Sequence, residues 1–367
     1  PTTAGYGPPL RRALESGRID EASVDRSVAR VLRQKFELGL FDDPFVAEPG
    51  NCPTSLDREL AQDVASKSLV LLRNDDELLP IRPGFRSIAV IGPTAADGRY
   101  LLGDYSHAAA LETMEEARLS ADAFSPAPDH AVPQADVGAV SSLLDAIRLL
   151  AGSNVSVGYA PGCGLNDDAT ADIAAAIELA TAADIAIVVA GGKSGMTLDA
   201  TAGEFPDRTD VGLPGVQQQL LDAVVATGTP VVRVLLSGRP LSPDLTGVGA
   251  VLLAWLPGEH GAAAVADALF GDFSPGGKLP ISVPRHVGQI PVYHGHKPTG
   301  GGVRLKGEYV DRPNTPLFPF GFGLSYTSFA VSGPVLETTE VSTDGTIVAT
   351  VTVRNTGTVT GDEVVQL

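Results

Sequence analysis

The chain has 367 residues, too many for one ordinary domain and enough for two or three of roughly 150 residues each. Its 26 Lys and Arg stand against 44 Asp and Glu, and the net charge of −18 excludes a protein that neutralises nucleic-acid phosphates or is held on anionic lipid. With 44% hydrophobic and 19% charged residues the composition is that of a globular protein, and no apolar stretch reaches the roughly 20 residues of a membrane helix.

Residues 1–45 read as helical. Asp20 can cap a helix, Val24, Val28, Val31, Leu32 and Phe36 recur at helical spacing, and Gly39 is a stop signal. Such a stripe needs a partner surface, and so short a segment cannot build a core of its own. It is expected to be the tail of a preceding domain. Asn51 to Pro53 reads as a linker, followed by a short helix containing Leu60 and Val64 and by the apolar run 69–72.

From residue 87 strands and helices alternate. Apolar strand segments lie at 87–91, 155–159, 185–189, 231–235 and 250–254. Helical stretches lie between and after them, at 140–150, 173–180, 216–226 and 262–270. Strands that are apolar throughout, separated by helices, predict an α/β fold: a mostly parallel sheet covered by helices on both faces. The sites of such sheets lie outside the carboxyl ends of the strands. Residues 108–136 show no clear period, and 271–325 are rich in Gly and Pro. From Ser328 the texture changes: 346–353 alternate, 355–357 form a turn signal, and 364–367 restart a strand. This reads as an all-β module that is cut off early. The opening Pro1 and the ending at Leu367 suggest part of a longer polypeptide.

Two cysteines, Cys52 and Cys163, cannot build a disulfide framework or a cysteine zinc site. They are expected as buried free thiols, with a single bridge as the alternative. The redox compartment stays open, cytoplasmic or secreted.

The strand at 185–189 runs into Gly191-Gly192-Lys193-Ser194-Gly195. A long polar loop follows, holding Asp199, Glu204, Asp207, Arg208 and Asp210, and it closes at Leu213-Pro214-Gly215. A βα loop normally has 2–6 residues, whereas this one has roughly twenty, and long loops at such positions tend to carry function. A carboxyl placed there can be a general acid, and glycoside hydrolysis uses two such carboxyls. On composition alone the loop reads as a solvated acidic surface rather than a catalytic one. Lys193, Ser194 and Asp199 could hydrogen-bond a sugar hydroxyl or merely order the loop. The Gly191-Gly192 pair matches no phosphate-binding pattern.

Other residues carry paired readings. Gly103 to His107 is expected to pack rather than touch substrate. His294, His296 and Lys297 form a small cluster without further metal ligands nearby in sequence. Trp255, the only tryptophan, could stack on a sugar but sits at the end of an apolar strand, where packing is expected.

The pattern Gly203-Glu204-x-x-Asp207-Arg208, followed by Leu213-Pro214-Gly215-x-Gln217, resembles the acid/base loop of glycoside hydrolase family 3. Further segments resemble the same family in the same order. They are 68–74 with Leu78-Leu79-Pro80; 88–93; Ser237-Gly238-Arg239-Pro240; Trp255-x-Pro257-Gly258; 269–280 with its Gly277-Lys278-Leu279-Pro280; and 318–327. Each motif is weak, but the ordered set covers essentially the whole chain.

The resemblance implies a helical tail of a (β/α)8 barrel with its linker at 1–50, an α/β sandwich at 51–325 and the start of a fibronectin-III-like domain at 326–367. It implies a retaining β-glucosidase or β-xylosidase acting on terminal β-D-glycosidic bonds of an oligosaccharide or glycoside, without cofactor or metal. Glu204 would be the general acid/base. Lys193, Ser194 and Arg208 are the candidate substrate-binding residues, with loop ordering as their alternative, and Asp207 is a loop-ordering neighbour. The family's nucleophile is an Asp on the barrel, so this chain alone should be inactive. The alternatives are the family's β-N-acetylhexosaminidase branch and a non-catalytic carbohydrate-binding protein. A homodimer is open, and nucleic acid and membrane are not expected partners.

Overall fold

In the computed structural model, which describes residues 6–45, 55–120, 140–295 and 309–366, Asp20 caps a helix as expected. Its carboxylate accepts the Ser23 backbone N–H at 2.6 Å and starts α2 (Glu21–Glu37), which follows α1 (Pro8–Glu15). Gly39, at φ 71°, follows the helix end and donates its N–H to the Phe36 carbonyl. Val28, Val31, Leu32 and Phe36 of the predicted stripe are exposed on α2. Residues up to Thr54 form one unit and those from Ser55 another. Cys52 and the expected linker at 51–53 lie outside the described residues.

The second unit is built on a six-stranded sheet. Its strands are β1 (Val70–Asn74), β2 (Ser87–Ile91), β3 (Ser156–Ala160), β4 (Ile185–Gly191), β5 (Val231–Leu236) and β6 (Ala250–Trp255), in the order β1-β6-β5-β4-β2-β3. Every pairing is parallel except that of β1, which runs antiparallel along β6 at the edge. The apolar run at 69–72 therefore becomes an edge strand that closes a mainly parallel sheet. The five predicted strand segments all fall on strands of this sheet, with ends shifted by at most two residues.

Alternation along each strand assigns the two faces. On β4, Ile185, Ile187 and Val189 join one buried cluster, while Ala186 and Val188 join the other. The first face is covered by α3 (Ser55–Ser68), α5 (Leu143–Ala151) and α8 (Gly261–Phe270), through residues such as Ala65, Ile147 and Val265. The second is covered by α6 (Ile173–Thr181) and α7 (Gln217–Val225), through Ala176, Ala180, Leu220 and Val224. Because both faces are covered, the strands read as unbroken apolar runs rather than alternating ones.

Two departures from the sequence reading have physical causes. A helix, α4 (His107–Ser120), forms where no period is visible. Its Ala, Leu, Met and Glu are strong helix formers, so intrinsic propensity rather than an apolar stripe makes it. The rest of that aperiodic stretch, from 121 to 136, lies outside the described residues. Toward the other end, the alternating 346–353 segment is not one strand. It splits into β9 (Ala349–Thr350), paired with β8 (Val335–Leu336), and β10 (Val353–Asn355), paired with β7 (Phe329–Val331). Residues 364–366 make no strand. Two-stranded ribbons this short leave apolar side chains such as Val331, Val335, Leu336 and Val353 exposed, and without a surface to bury them pairing does not extend far. Among the described residues no helix is long and apolar enough to cross a membrane.

Candidate active site

Strand order places the site. Chain order runs β2 to β3 on one side of β2, then crosses to β4 on its other side and continues through β5 to β6. The loops leaving the carboxyl ends of β2 and β4 therefore diverge and open a crevice, the place where open α/β sheets bind ligands. The long loop recognised in the sequence is the one that leaves β4.

That loop is tied at its base. A side chain at Gly191 would put its Cβ 1.8 Å from the Leu236 carbonyl oxygen, so only glycine allows β4 and β5 to approach so closely there. The fully buried Gln217, the first residue of α7, closes the other end. Its side-chain carbonyl accepts the Gly191 N–H at 2.9 Å, and its amide donates to the carbonyls of Gly191 at 2.9 Å and Leu165 at 2.7 Å. One buried amide thus fastens the exit and the return of a 25-residue excursion.

Within the loop, Thr201 donates its N–H to Lys193 and Gly195 donates to Ala202, so the chain doubles back on itself. The Lys193 ammonium, buried, lies 2.8 Å and 2.9 Å from the two Asp199 carboxylate oxygens and 3.3 Å from Glu112 Oε2. Burial pushes the Asp199 carboxyl up, but its hydrogen bonds from Lys193 and Thr197 outweigh burial and hold it below its usual range. Arg99, buried in the turn after β2, donates to the Ser194 carbonyl at 2.9 Å and to Glu112 at 2.9 Å. The loop is thereby pinned from the β2 side.

Glu204 follows Gly203, where any Cβ would meet the Gly195 carbonyl oxygen at 1.8 Å. Its side chain is exposed, and its Oε2 accepts a hydrogen bond from the Tyr105 hydroxyl at 2.8 Å. That bond is the main reason the Tyr105 phenol is held above its ordinary range. Next to it, the Ser194 hydroxyl donates to Asp104. Arg239, in the turn after β5, lies 3.3 Å from Asp207 Oδ2 and donates to the Gly203 carbonyl at 3.3 Å. Tyr105, Lys193, Ser194, Glu204, Arg239 and Leu256 border a cleft of about 460 Å³.

The predicted residues are thus only partly brought together. Glu204, Lys193 and Ser194 share the cleft, but the Lys193 charge is taken up by Asp199 and Glu112. Arg208 lies away from that cleft and borders a larger, mostly apolar cavity of about 700 Å³ beside it. Its guanidinium donates to the carbonyls of Gly212 at 2.6 Å and Leu213 at 3.2 Å, which orders the end of the loop. Trp255 is half-buried against the second core cluster at a positive φ of 58°, and its neighbour Leu256 reaches the cleft instead. His294 borders the larger cavity with its ring 4.8 Å from that of Phe320, while His296 and Lys297 lie outside the described residues. Among the described residues no three His, Cys, Asp or Glu side chains come together as metal ligands. Cys163 is buried and unbonded, and burial pushes its thiol up to about 11.

Sequence reasoning gave no role to Arg239 or Gln217, and it expected Tyr105, within 103–107, to pack, whereas its side chain is largely exposed. Arg239 and Gln217 sit inside quoted motifs, but no local signal says what they touch. Tyr105 stands 99 residues from its partner.

Residues 69–326 match the model of the glycosyl hydrolase family 3 C-terminal domain. The chain is 38% identical to a β-xylosidase from Formosa agariphila over 94% of its own length and 44% of that protein's. It is 34% identical to a periplasmic β-glucosidase from Salmonella typhimurium over 99% and 48%. It thus spans slightly less than half the length of these relatives. Among solved structures, it resembles a β-glucosidase from Erythrobacter marinus with a TM-score of 0.73 at 33% identity, covering 95% of this chain and 46% of that one. It also resembles a β-glucosidase from Listeria innocua in complex with glucose, with a TM-score of 0.76 at 28% identity over 96% and 45%.

Proposed function

The chain belongs to glycosyl hydrolase family 3, and from that membership we propose that it carries the general acid/base of a retaining β-glycosidase acting on terminal β-D-glucosides or β-D-xylosides. One observation carries the reading: Glu204 projects into the cleft at the strand-order reversal, with Oε2 held by Tyr105 and Oε1 without a protein partner among the described residues. An oxygen so left can face a glycosidic oxygen.

The chemistry follows from having two carboxyls. An aspartate from a preceding (β/α)8 barrel attacks the anomeric carbon. As the bond from that carbon to the leaving oxygen breaks, its electron pair stays with the oxygen, which takes the proton from Glu204. The resulting glycosyl-enzyme ester is then opened by water, whose proton returns to the Glu204 carboxylate as its oxygen bonds to the sugar. In this reading residues 1–50 are the barrel's tail and linker, 51–325 the α/β sandwich and 326–367 the start of a fibronectin-III-like domain. Lys193 and Ser194 border the sugar-binding cleft, and Arg208 orders the loop beside it. The names of the relatives support glucose or xylose as the sugar.

Replacing Glu204 by Gln in the full-length protein tests the assignment. Turnover of alkyl β-glycosides should fall by about 10²–10⁴-fold, the usual contribution of a positioned acid/base. Azide should restore turnover of aryl glycosides as a glycosyl azide. Near-normal hydrolysis of an alkyl glycoside by Glu204→Gln would overturn the role.

A further inference from the structure

The loop after β2 reaches across the crevice with two consecutive side chains. Asp104 accepts the Ser194 hydroxyl, and Tyr105 donates to Glu204 at 2.8 Å, so both contacts fall on the loop that leaves β4. The segment bearing them is itself fixed. Arg99 is anchored on Glu112 and Ser194, Ser106 Oγ donates to the Gly103 carbonyl at 2.8 Å, and the Ser106 N–H also points to that carbonyl. Glu204 has no other side-chain partner among the described residues. Tyr105 is itself largely exposed, so burial in a core does not account for its position.

We propose that Tyr105 is a positioning residue for Glu204, holding Oε2 so that Oε1 is the oxygen that delivers and recovers the catalytic proton. The inference rests on the acid/base reading above. An unrestrained glutamate has three rotatable bonds and would sample orientations in which neither oxygen faces the scissile bond. A phenol donor at hydrogen-bond distance removes most of that freedom without adding charge. Tyr105 keeps its own proton throughout. It donates to Oε2 when Glu204 is protonated on Oε1, and donates more strongly when Glu204 is the carboxylate. The contact is therefore compatible with both halves of the double displacement.

The consequence depends on the leaving group. Departure of an alkoxide requires the proton, whereas departure of a dinitrophenolate does not. In the full-length protein, Tyr105→Phe should lower kcat/KM for a methyl or alkyl β-glycoside about tenfold, at the low end of what a misplaced acid costs. It should leave kcat/KM for the 2,4-dinitrophenyl β-glycoside within about twofold. A merely structural tyrosine would lower both alike.

A second measurement needs no hydrolysis. With tyrosine ¹³C-labelled at Cζ, the Tyr105 resonance of this chain is assigned by its loss in Tyr105→Phe. It should titrate above the ordinary tyrosine range and move back toward it in Glu204→Gln. If Glu204→Gln leaves that titration unchanged, or if hydrolysis proceeds and Tyr105→Phe leaves the alkyl-to-aryl ratio unchanged, the positioning role is overturned. If the two residues prove coupled but the full-length protein hydrolyses no β-glycoside, the acid/base reading fails while the contact stands.

Discussion

Arg233 sits in the middle of β5, between Val232 and Val234, with its side chain fully buried on the face covered by α6 and α7. Among the described residues, none of its three guanidinium nitrogens has a hydrogen-bond partner. Burial pushes its pKa well down from the ordinary guanidinium range, to about 9. A fall of that size sets an upper bound of about 5 kcal/mol on the penalty. The sign is destabilising. The folded-state pKa is depressed, so folding is penalised in full below about pH 9, and the penalty shrinks as pH rises from there toward the ordinary guanidinium pKa.

Replacing the guanidinium by an unbranched apolar side chain of similar length should remove most of that penalty. Replacing buried ionic groups by packed apolar ones gains about 1–4 kcal/mol in comparable cases. Arg233→Met should therefore raise the free energy of unfolding by about that amount at pH 7, read as a higher urea midpoint with an unchanged slope. The gain should shrink when the titration is repeated near pH 10. A loss of stability at pH 7 of more than about 1 kcal/mol would refute the reasoning, because it would mean the folded protein satisfies the guanidinium.

Other predictions concern the fastening of the loop and the response to acid. Gln217→Leu leaves the Gly191 N–H and the Leu165 carbonyl without their side-chain partner, and should cost about 2–4 kcal/mol in a denaturant titration. Asp184 accepts the backbone N–H groups of Arg86 and Ser87 and the Ser87 hydroxyl, and these hold its carboxyl below the usual range. Its contribution is present above the ordinary carboxylate pKa and disappears as pH falls through the lowered one. The acid destabilisation of Asp184→Asn should accordingly be shallower than that of the parent below about pH 4.

The mainly parallel sheet was legible because its strands are buried on both faces and separated by helices, which leaves a nearly unbroken apolar run at each, interrupted in β5 by Arg233. The long loop was legible for a related reason: from Gly191 to Gln217 nothing in the sequence is periodic, and the excursion is too long for a simple connection. Helix α4 was not legible, since a helix made by propensity leaves no stripe. The surroundings of Glu204 were hidden for a topological reason. Tyr105 and Arg239 arrive from the ends of β2 and β5, and only the order of strands in space brings them to the loop of β4. Lys193 and Arg208 show a different limit: a basic side chain in a polar loop signals a partner, but the sequence does not say whether that partner is ligand, carboxylate or backbone.

The pairing of Ile88 with Ile185 through Ile91 with Val188 has a consequence for the placement of Glu204. Tyr105 and Glu204 are carried on loops whose starting points are set by that register. A slip of one residue would displace one loop from the other by about 3.3 Å, more than a hydrogen bond tolerates, and would turn the apolar side chains of one strand to the wrong face. The two packed cores forbid that slip. The hydrophobic interior thus acts as the gauge block for the contact between Tyr105 and Glu204: its tolerance is inherited from side chains that never meet either residue.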